Sequence, residues 1–367
     1  MTPLPPTLAA WFHNLSPFAL RISGGFGLRW YGLSYAMGFL VGWLLLRWLG
    51  KRGAVPIKPE KAADAILYAV VGVVIGGRLG YVLFYEPSLL WSFSSDAPWW
   101  GLLAINRGGM ASHGGMIGVI IASIYIARGF AEPGKPGLGG SMLRVLDALA
   151  LITPPGLMFG RIANFVNGEL LGREYTSSPA PWWTVRFPQE VLVTDAAGHM
   201  GLPPRTPQER GAIVKIMEDA GIQSPSFEAA YQVLLDKIQH GNRALQAQLE
   251  PLIRARYPSQ LFQAAAEGVV LGLVLWLIAR RPQRTGVIGC WFMICYGVLR
   301  ITTEIWRLPD AQLVHQRVLG LSRGQWLSVG MVAVGCVGLA AVVRRGGQKV
   351  GGWGRGAAAA RSNPSPA

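Results

Sequence analysis

Apolar residues fall into seven stretches near 30–49, 65–85, 112–128, 146–167, 260–279, 286–305 and 326–343, rich in Leu, Val, Ile, Gly and Ala and without strict alternation. About 17 to 25 such residues cross ~30 Å of hydrocarbon as a helix. In lipid a helix satisfies its own backbone, which makes it the simple way to span. The pattern predicts an all-α polytopic membrane protein with seven transmembrane helices and a small extracytoplasmic head. Its divisions are an outer-surface amphipathic arm over 1–29, spans one to four over 30–167, the head over 168–257, spans five to seven over 258–343, and a disordered cytoplasmic tail over 344–367. The head carries a strand-like WWTVRF and a polar helical stretch from about Pro207 to Arg256.

Composition agrees with membrane residence. Charged residues are 14% of the chain and hydrophobic ones 51%, with a mean hydropathy of +0.33, whereas soluble domains carry about 25% charged residues. The net charge of +15 has a topological origin. Connections after spans one, three, five and seven hold fifteen Lys and Arg, against six on the opposite side. The positive-inside rule places the N-terminus outside and the C-terminus inside, and no nucleic-acid partner is required. The first residues lack the basic and apolar regions of a cleaved signal peptide. Cys290, Cys295 and Cys336 lie in apolar stretches without metal or redox spacing, and are expected to pack as small hydrophobes.

Polar residues interrupt the spans. Arg78, His113, Arg161, Asn164, Asn167, Glu169, Arg300 and Glu304 sit inside or at the rim of apolar stretches, where a charge at a helix centre costs roughly 2.5–3.5 kcal/mol. Arg161 and Asn164 are three apart; Tyr296, Arg300 and Glu304 are spaced by four, so each set shares a helical face. Under the predicted topology both sets and His113 reach the outer leaflet. Two guanidiniums there suit a lipid phosphate, and an imidazole takes a proton near neutral pH. Gly114, Gly115, Gly160, Gly168 and Gly172 cluster at the same places. Either close helix packing or backbone approach to a headgroup accounts for them, and Asn167-Gly168 also suits a helix C-cap.

GRIANFVNGELLGR (160–173), with SHGGMIGV (112–119), RWYG (29–32), GGRLGYVLFY (76–85), PSQLF (258–262) and YGVLRITTE (296–304), resembles the prolipoprotein diacylglyceryl transferase family over nearly all seven spans. The resemblance implies a bacterial inner-membrane enzyme without cofactor or metal. It moves the diacylglyceryl group of phosphatidylglycerol to the lipobox cysteine of a prolipoprotein signal peptide and releases glycerol 1-phosphate. It further implies that Arg161 and Arg300 bind the lipid phosphate and that His113 deprotonates the thiol. Asn164, Glu169 and Gly172 belong to the same signature; Tyr31, Tyr296 and Glu304 fall on other functional positions. Glu169 and Glu304 are expected to hold arginines rather than to act as bases. The chain departs from the family in YPSQLFQ, where Tyr257, Phe262 and Gln263 replace His, Tyr and Glu, so that segment is assigned no part in the site. The rival readings are a membrane transporter, which would line both bilayer halves with polar residues, and a non-catalytic lipoprotein assembly factor.

Overall fold

A helix occupies each of the seven apolar stretches. The computed structural model describes residues 10–23, 26–95, 98–105, 109–129, 142–194, 205–308 and 320–354. The helices are α1 (Trp30–Lys51), α2 (Ala62–Phe84), α3 (Ser112–Gly129) and α4 (Met142–Asn167), then a continuous run of α9 (Ser259–Gln263), a π-helical segment (Ala264–Val270) and α10 (Leu271–Ile278), and finally α11 (Val287–Thr303) and α12 (Arg323–Arg345). Among the described residues six are long and apolar enough to cross a membrane; the helix in the third stretch is apolar over the shorter Gly114–Arg128. The chain divides into two compact units. One comprises Met1–Gly38, Pro154–Leu271 and Cys295–Ala333, the other Phe39–Thr153, Gly272–Ile294 and Val334–Ala367. The boundary within α4 falls at Pro154 and Pro155, which remove two backbone donors from the middle of the helix.

In the second unit α2 has two opposite faces. Leu67, Val71, Ile75, Leu79 and Leu83 recur every four residues and are exposed, as a lipid-facing stripe would be. Gly72, Gly76 and Gly80 meet Gly114 and Gly118 of α3 so closely that a Cβ on Gly118 would lie 1.9 Å from the Gly72 carbonyl oxygen. Lipid tails are as apolar as Leu, so such helices associate by close packing, and glycine admits it. Gly114 of the HGG motif is thus explained by packing. Arg78 is buried, and its guanidinium donates to the carbonyls of Leu102, Gly101 and Gly109 at 2.8, 2.6 and 3.0 Å. It braces the connection after α2.

The expectation of a disordered tail from Arg344 fails for its first part. α12 runs to Arg345, and Val350 pairs with Gln283. Trp353 then packs against Trp48 and Trp276 and donates its indole N–H to the Trp276 carbonyl. One large aromatic ring with a backbone ladder is enough to anchor a Gly-rich strand. Residues 355–367 lie outside the described ones.

In the first unit the arm is built of β-strands. Strand β1 (Trp11–Phe12) pairs in parallel with β4 (Val185–Arg186), which pairs antiparallel with β5 (Ala255–Arg256), while β2 (Phe18–Ser23) and β3 (Phe26–Arg29) form a hairpin. The stretch after α5 (Glu190–Thr194) folds as α6 (Pro207–Asp219), α7 (Phe227–Gln239) and α8 (Arg243–Leu249). Their starts are written locally: a Thr206/Glu209 capping box, and Ser226 and Asn242 as N-caps. Ile213, Met217, Tyr231, Leu234, Ile238 and Leu249 form their core, to which Phe12 and Val191 contribute.

Candidate functional site

The end of α4 shapes the signature loop. Gly168 has φ +67°, its N–H bonds the Phe165 carbonyl, and the Glu169 N–H bonds the Asn164 carbonyl, as in a Schellman cap. The expected C-cap therefore forms. Leu170 follows with φ +53°, a conformation non-glycine residues adopt reluctantly. Its carbonyl accepts from Ser259 Oγ, and Leu171 is buried with Val185, Phe187 and Leu308. Gly172 is the point where three segments cross. A Cβ there would meet the Tyr257 carbonyl oxygen at 2.0 Å and the Trp306 carbonyl oxygen at 3.1 Å. This position needs glycine for backbone approach between protein segments, apart from any lipid contact.

The cap leaves Arg161 two turns back on α4, facing the π-helical segment. Gly268 lets that segment close on Met158, where a Cβ would lie 2.4 Å away. The approach brings Glu267, fully buried, to Arg161, whose Nε donates to Glu267 Oε2 at 3.1 Å. Arg300 Nη1 lies 3.9 Å from the other oxygen of the same carboxylate and 3.1 Å from Glu304 Oε2. Glu304 also faces Arg307 at 3.8 Å. Tyr296, Tyr31 and Tyr35 lie near the same guanidinium. Asn164 and Asn167 donate to the two oxygens of Glu169 at 3.2 and 3.1 Å.

The first unit thus brings together Arg161, Arg300, Glu304, Tyr31, Tyr296, Asn164 and Glu169. His113 is the second residue of α3, in the second unit, and its side chain lies outside the described residues. Each guanidinium has five N–H donors in a planar fork, more than one carboxylate oxygen can use, and both arginines retain some exposure, 19% for Arg161 and 15% for Arg300. The arrangement is chemically suited to gripping a tetrahedral oxyanion from two sides.

Sequence reasoning missed Glu267, the carboxylate on which both arginines converge. The signal was available, because Glu267 is an acid inside the fifth apolar stretch and meets the criterion that flagged Arg161 and Arg300. Asp147 in the fourth stretch was missed on the same ground. It accepts from the Gly286 and Gly289 N–H groups at 2.7 Å, capping the start of α11. His13 gave no signal. It is fully buried, with Nε2 2.8 Å from the Phe165 carbonyl and Nδ1 3.2 Å from Gln189, and desolvation lowers its pKa to about 4.

Six helices long and apolar enough to cross a membrane, among the described residues, place the chain in the class of polytopic membrane proteins. The family model for prolipoprotein diacylglyceryl transferase matches residues 17–341, and the chain belongs to that family. It is 42% identical over 353 residues to the phosphatidylglycerol–prolipoprotein diacylglyceryl transferase of Bdellovibrio bacteriovorus, covering 94% of this chain and 97% of the relative. Proteins of the same name from Paraburkholderia phymatum and Neisseria gonorrhoeae are 38% and 34% identical, over 91% and 89% of this chain and 95% of each relative. The chain is a membrane-embedded transferase of lipoprotein biosynthesis, and the transporter and assembly-factor readings are not favoured.

Proposed function

We propose that this protein transfers the diacylglyceryl group of phosphatidylglycerol to the lipobox cysteine of prolipoproteins, with the lipid phosphate held between Arg161 and Arg300. The observation that carries the reading is the convergence of these two guanidiniums on Glu267. In the reaction the cysteine thiolate attacks the diacylglyceryl carbon next to the phosphate oxygen. The new C–S bond forms as the C–O bond breaks, and the electron pair leaves with glycerol 1-phosphate. The phosphodiester carries one negative charge and the released monoester gains a second. Donors placed where that charge grows lower the barrier. Glu267, Glu304 and Tyr296 hold the arginines in register, Asn164 and Asn167 orient Glu169, and Tyr31 closes the arginine side.

A cysteine thiol has an ordinary pKa of about 8.5, so a base must take its proton. His113 is assigned that role, on its match to the family's HGG histidine and its place at the start of α3. Seven spans are assigned from the apolar stretches, the inner membrane from the family resemblance, and an N-terminus outside, a C-terminus inside and a head on the outer side from the charges of the short loops. Cysteine introduced at Ser224 should react with an impermeant thiol reagent added to intact cells, and cysteine at Thr285 should not. The reverse pattern would overturn the orientation.

The assay is purified protein with phosphatidylglycerol and a lipobox peptide, following thioether product and glycerol 1-phosphate in equal amounts. Arg161→Ala should lose at least ~100-fold in rate while remaining inserted. Arg161→Lys should recover little, because a point charge does not reproduce a bidentate fork. Near-normal turnover of the alanine variant would remove the phosphate clamp.

A further inference from the structure

Gln263 is fully buried, yet neither its amide oxygen nor its amide nitrogen has a hydrogen-bond partner among the described residues. Three residues earlier, Gln260 is equally buried. Its Nε2 donates to the Glu169 carbonyl at 2.5 Å, and its Oε1 has no partner. Across from α9, Asn167 repeats the pattern, with Nδ2 bonded to Glu169 and Oδ1 open. Buried polar groups in folded proteins nearly always find partners. Several open amides in one region therefore mark a place completed by a ligand.

The position of Gln263 indicates which ligand. It lies four residues before Glu267, at the junction of α9 and the π-helical segment, about one helical turn away. Glu267 holds Arg161 and Arg300, and Gln260 holds the signature loop at Glu169. Along the helical run Gln263 thus falls between the residue that holds the loop and the residue that holds the guanidinium pair. An amide offers one neutral acceptor and two neutral donors, matching a hydroxyl, which both donates and accepts. A cationic headgroup would instead select the carboxylates, leaving the amides open.

We propose that Gln263, with Gln260 and Asn167, forms a polyol subsite that reads the glycerol diol esterified to the phosphate held by Arg161 and Arg300. The subsite rests on the donor reading given above. It turns the YPSQLFQ segment, unassigned by sequence, into the part of the site that selects the headgroup. A site built to hydrogen-bond a substrate hydroxyl rejects the analogue lacking it, because its own buried groups are then left open.

The test compares two donors, phosphatidylglycerol and phosphatidyl-n-propanol, which has the same headgroup carbon chain without the hydroxyls. Wild-type protein should favour phosphatidylglycerol by roughly 100-fold or more in kcat/KM. Gln263→Met, close in shape and without hydrogen-bonding capacity, should bring the phosphatidylglycerol rate down toward the propanol rate. The propanol rate itself should change by less than about twofold, since that donor makes no bond there to lose. Equal use of both donors by wild-type protein overturns the subsite whatever the variant does. So does a Gln263→Met enzyme that keeps full discrimination, or one that slows equally on both donors. If Gln263→Met weakens only inhibition by added glycerol 1-phosphate, the residue serves free product and the proposal falls. Failure of wild-type protein to use phosphatidylglycerol at all would strike the donor reading itself, a separate and recognisable result.

Discussion

Two buried carboxylates in the first unit each gather arginines, and they differ in how completely they are used. Glu190 has both oxygens filled: Arg256 Nε binds one, while Arg205 Nη2 at 2.6 Å and the Arg254 N–H at 3.1 Å share the other. Arg256 is 1% exposed, and its Nη1 reaches on to the Gly172 carbonyl at 3.1 Å. Glu267 takes one bond from Arg161 at 3.1 Å and holds Arg300 only at 3.9 Å. A saturated carboxylate ties the segment beginning at Arg205 to the signature loop and keeps no oxygen open. An unsaturated one keeps two guanidiniums close while leaving donors to spend on an anion. Burial of charge alone does not distinguish a brace from a binding site. The filling of the carboxylate oxygens does, since Glu267 Oε1 accepts no hydrogen bond among the described residues.

The sharpest way to break this contrast is to neutralise each carboxylate. Glu190→Ala leaves Arg205 and Arg256 buried without their anion, and removing one partner of a buried pair costs about 3–5 kcal/mol. The variant should lose most of its folded yield and show a lower thermal midpoint by tryptophan fluorescence in detergent. A stable, fully folded Glu190→Ala protein would make the network dispensable. Glu267→Gln should act in the opposite sense, on rate rather than on fold. Its guanidiniums keep a hydrogen-bond acceptor but lose the charge that holds them in register, so transfer should fall about 100-fold with the midpoint little changed. A variant that unfolds without a specific rate defect would place Glu267 with Glu190.

A smaller effect sharpens the contrast from the braced side, where His13 docks the arm against Phe165 and Gln189. Its folded pKa is about 4, below the ordinary 6.5, because burial penalises the imidazolium. The unfolded chain binds the proton first, so this contribution is intact above pH 6.5 and is lost as pH falls toward 4. By pH 5 the loss is about 2 kcal/mol. Thermal midpoints measured from pH 7 to 5 should fall in wild-type protein and fall less in His13→Gln. Parallel profiles for the two would separate His13 from acid sensitivity.

Much of this architecture was legible in the chain. Each apolar stretch became a helix, Asn167-Gly168 became a cap, and the polar stretch from Pro207 folded as helices. These features depend on residues within a turn or two of each other. Gly114 and Gly115 of α3 were legible only as a choice between packing and headgroup approach, because the decision rests on what lies across from them, and for Gly114 that is Gly76 and Gly80 of α2. The strands of the arm were not legible, and the start of the tail was misread, for the same reason. Trp11–Phe12 becomes a strand because Val185–Arg186 is available to pair with it, and Trp353 is held because Trp48 and Trp276 offer it a surface.

Sequence alone determined that the chain enters a membrane, how often its apolar stretches recur, and which arginines are out of place there. Length, hydropathy and charge are sums along the chain, and transfer from water to lipid responds to those sums. Only tertiary structure decided what each buried charge is for. Arg78 closes a loop through three carbonyls, Arg256 saturates Glu190, and Arg161 and Arg300 share Glu267. A buried charge takes its role from the groups within about 4 Å of it, and those groups come from segments as far apart as residues 161, 267 and 300.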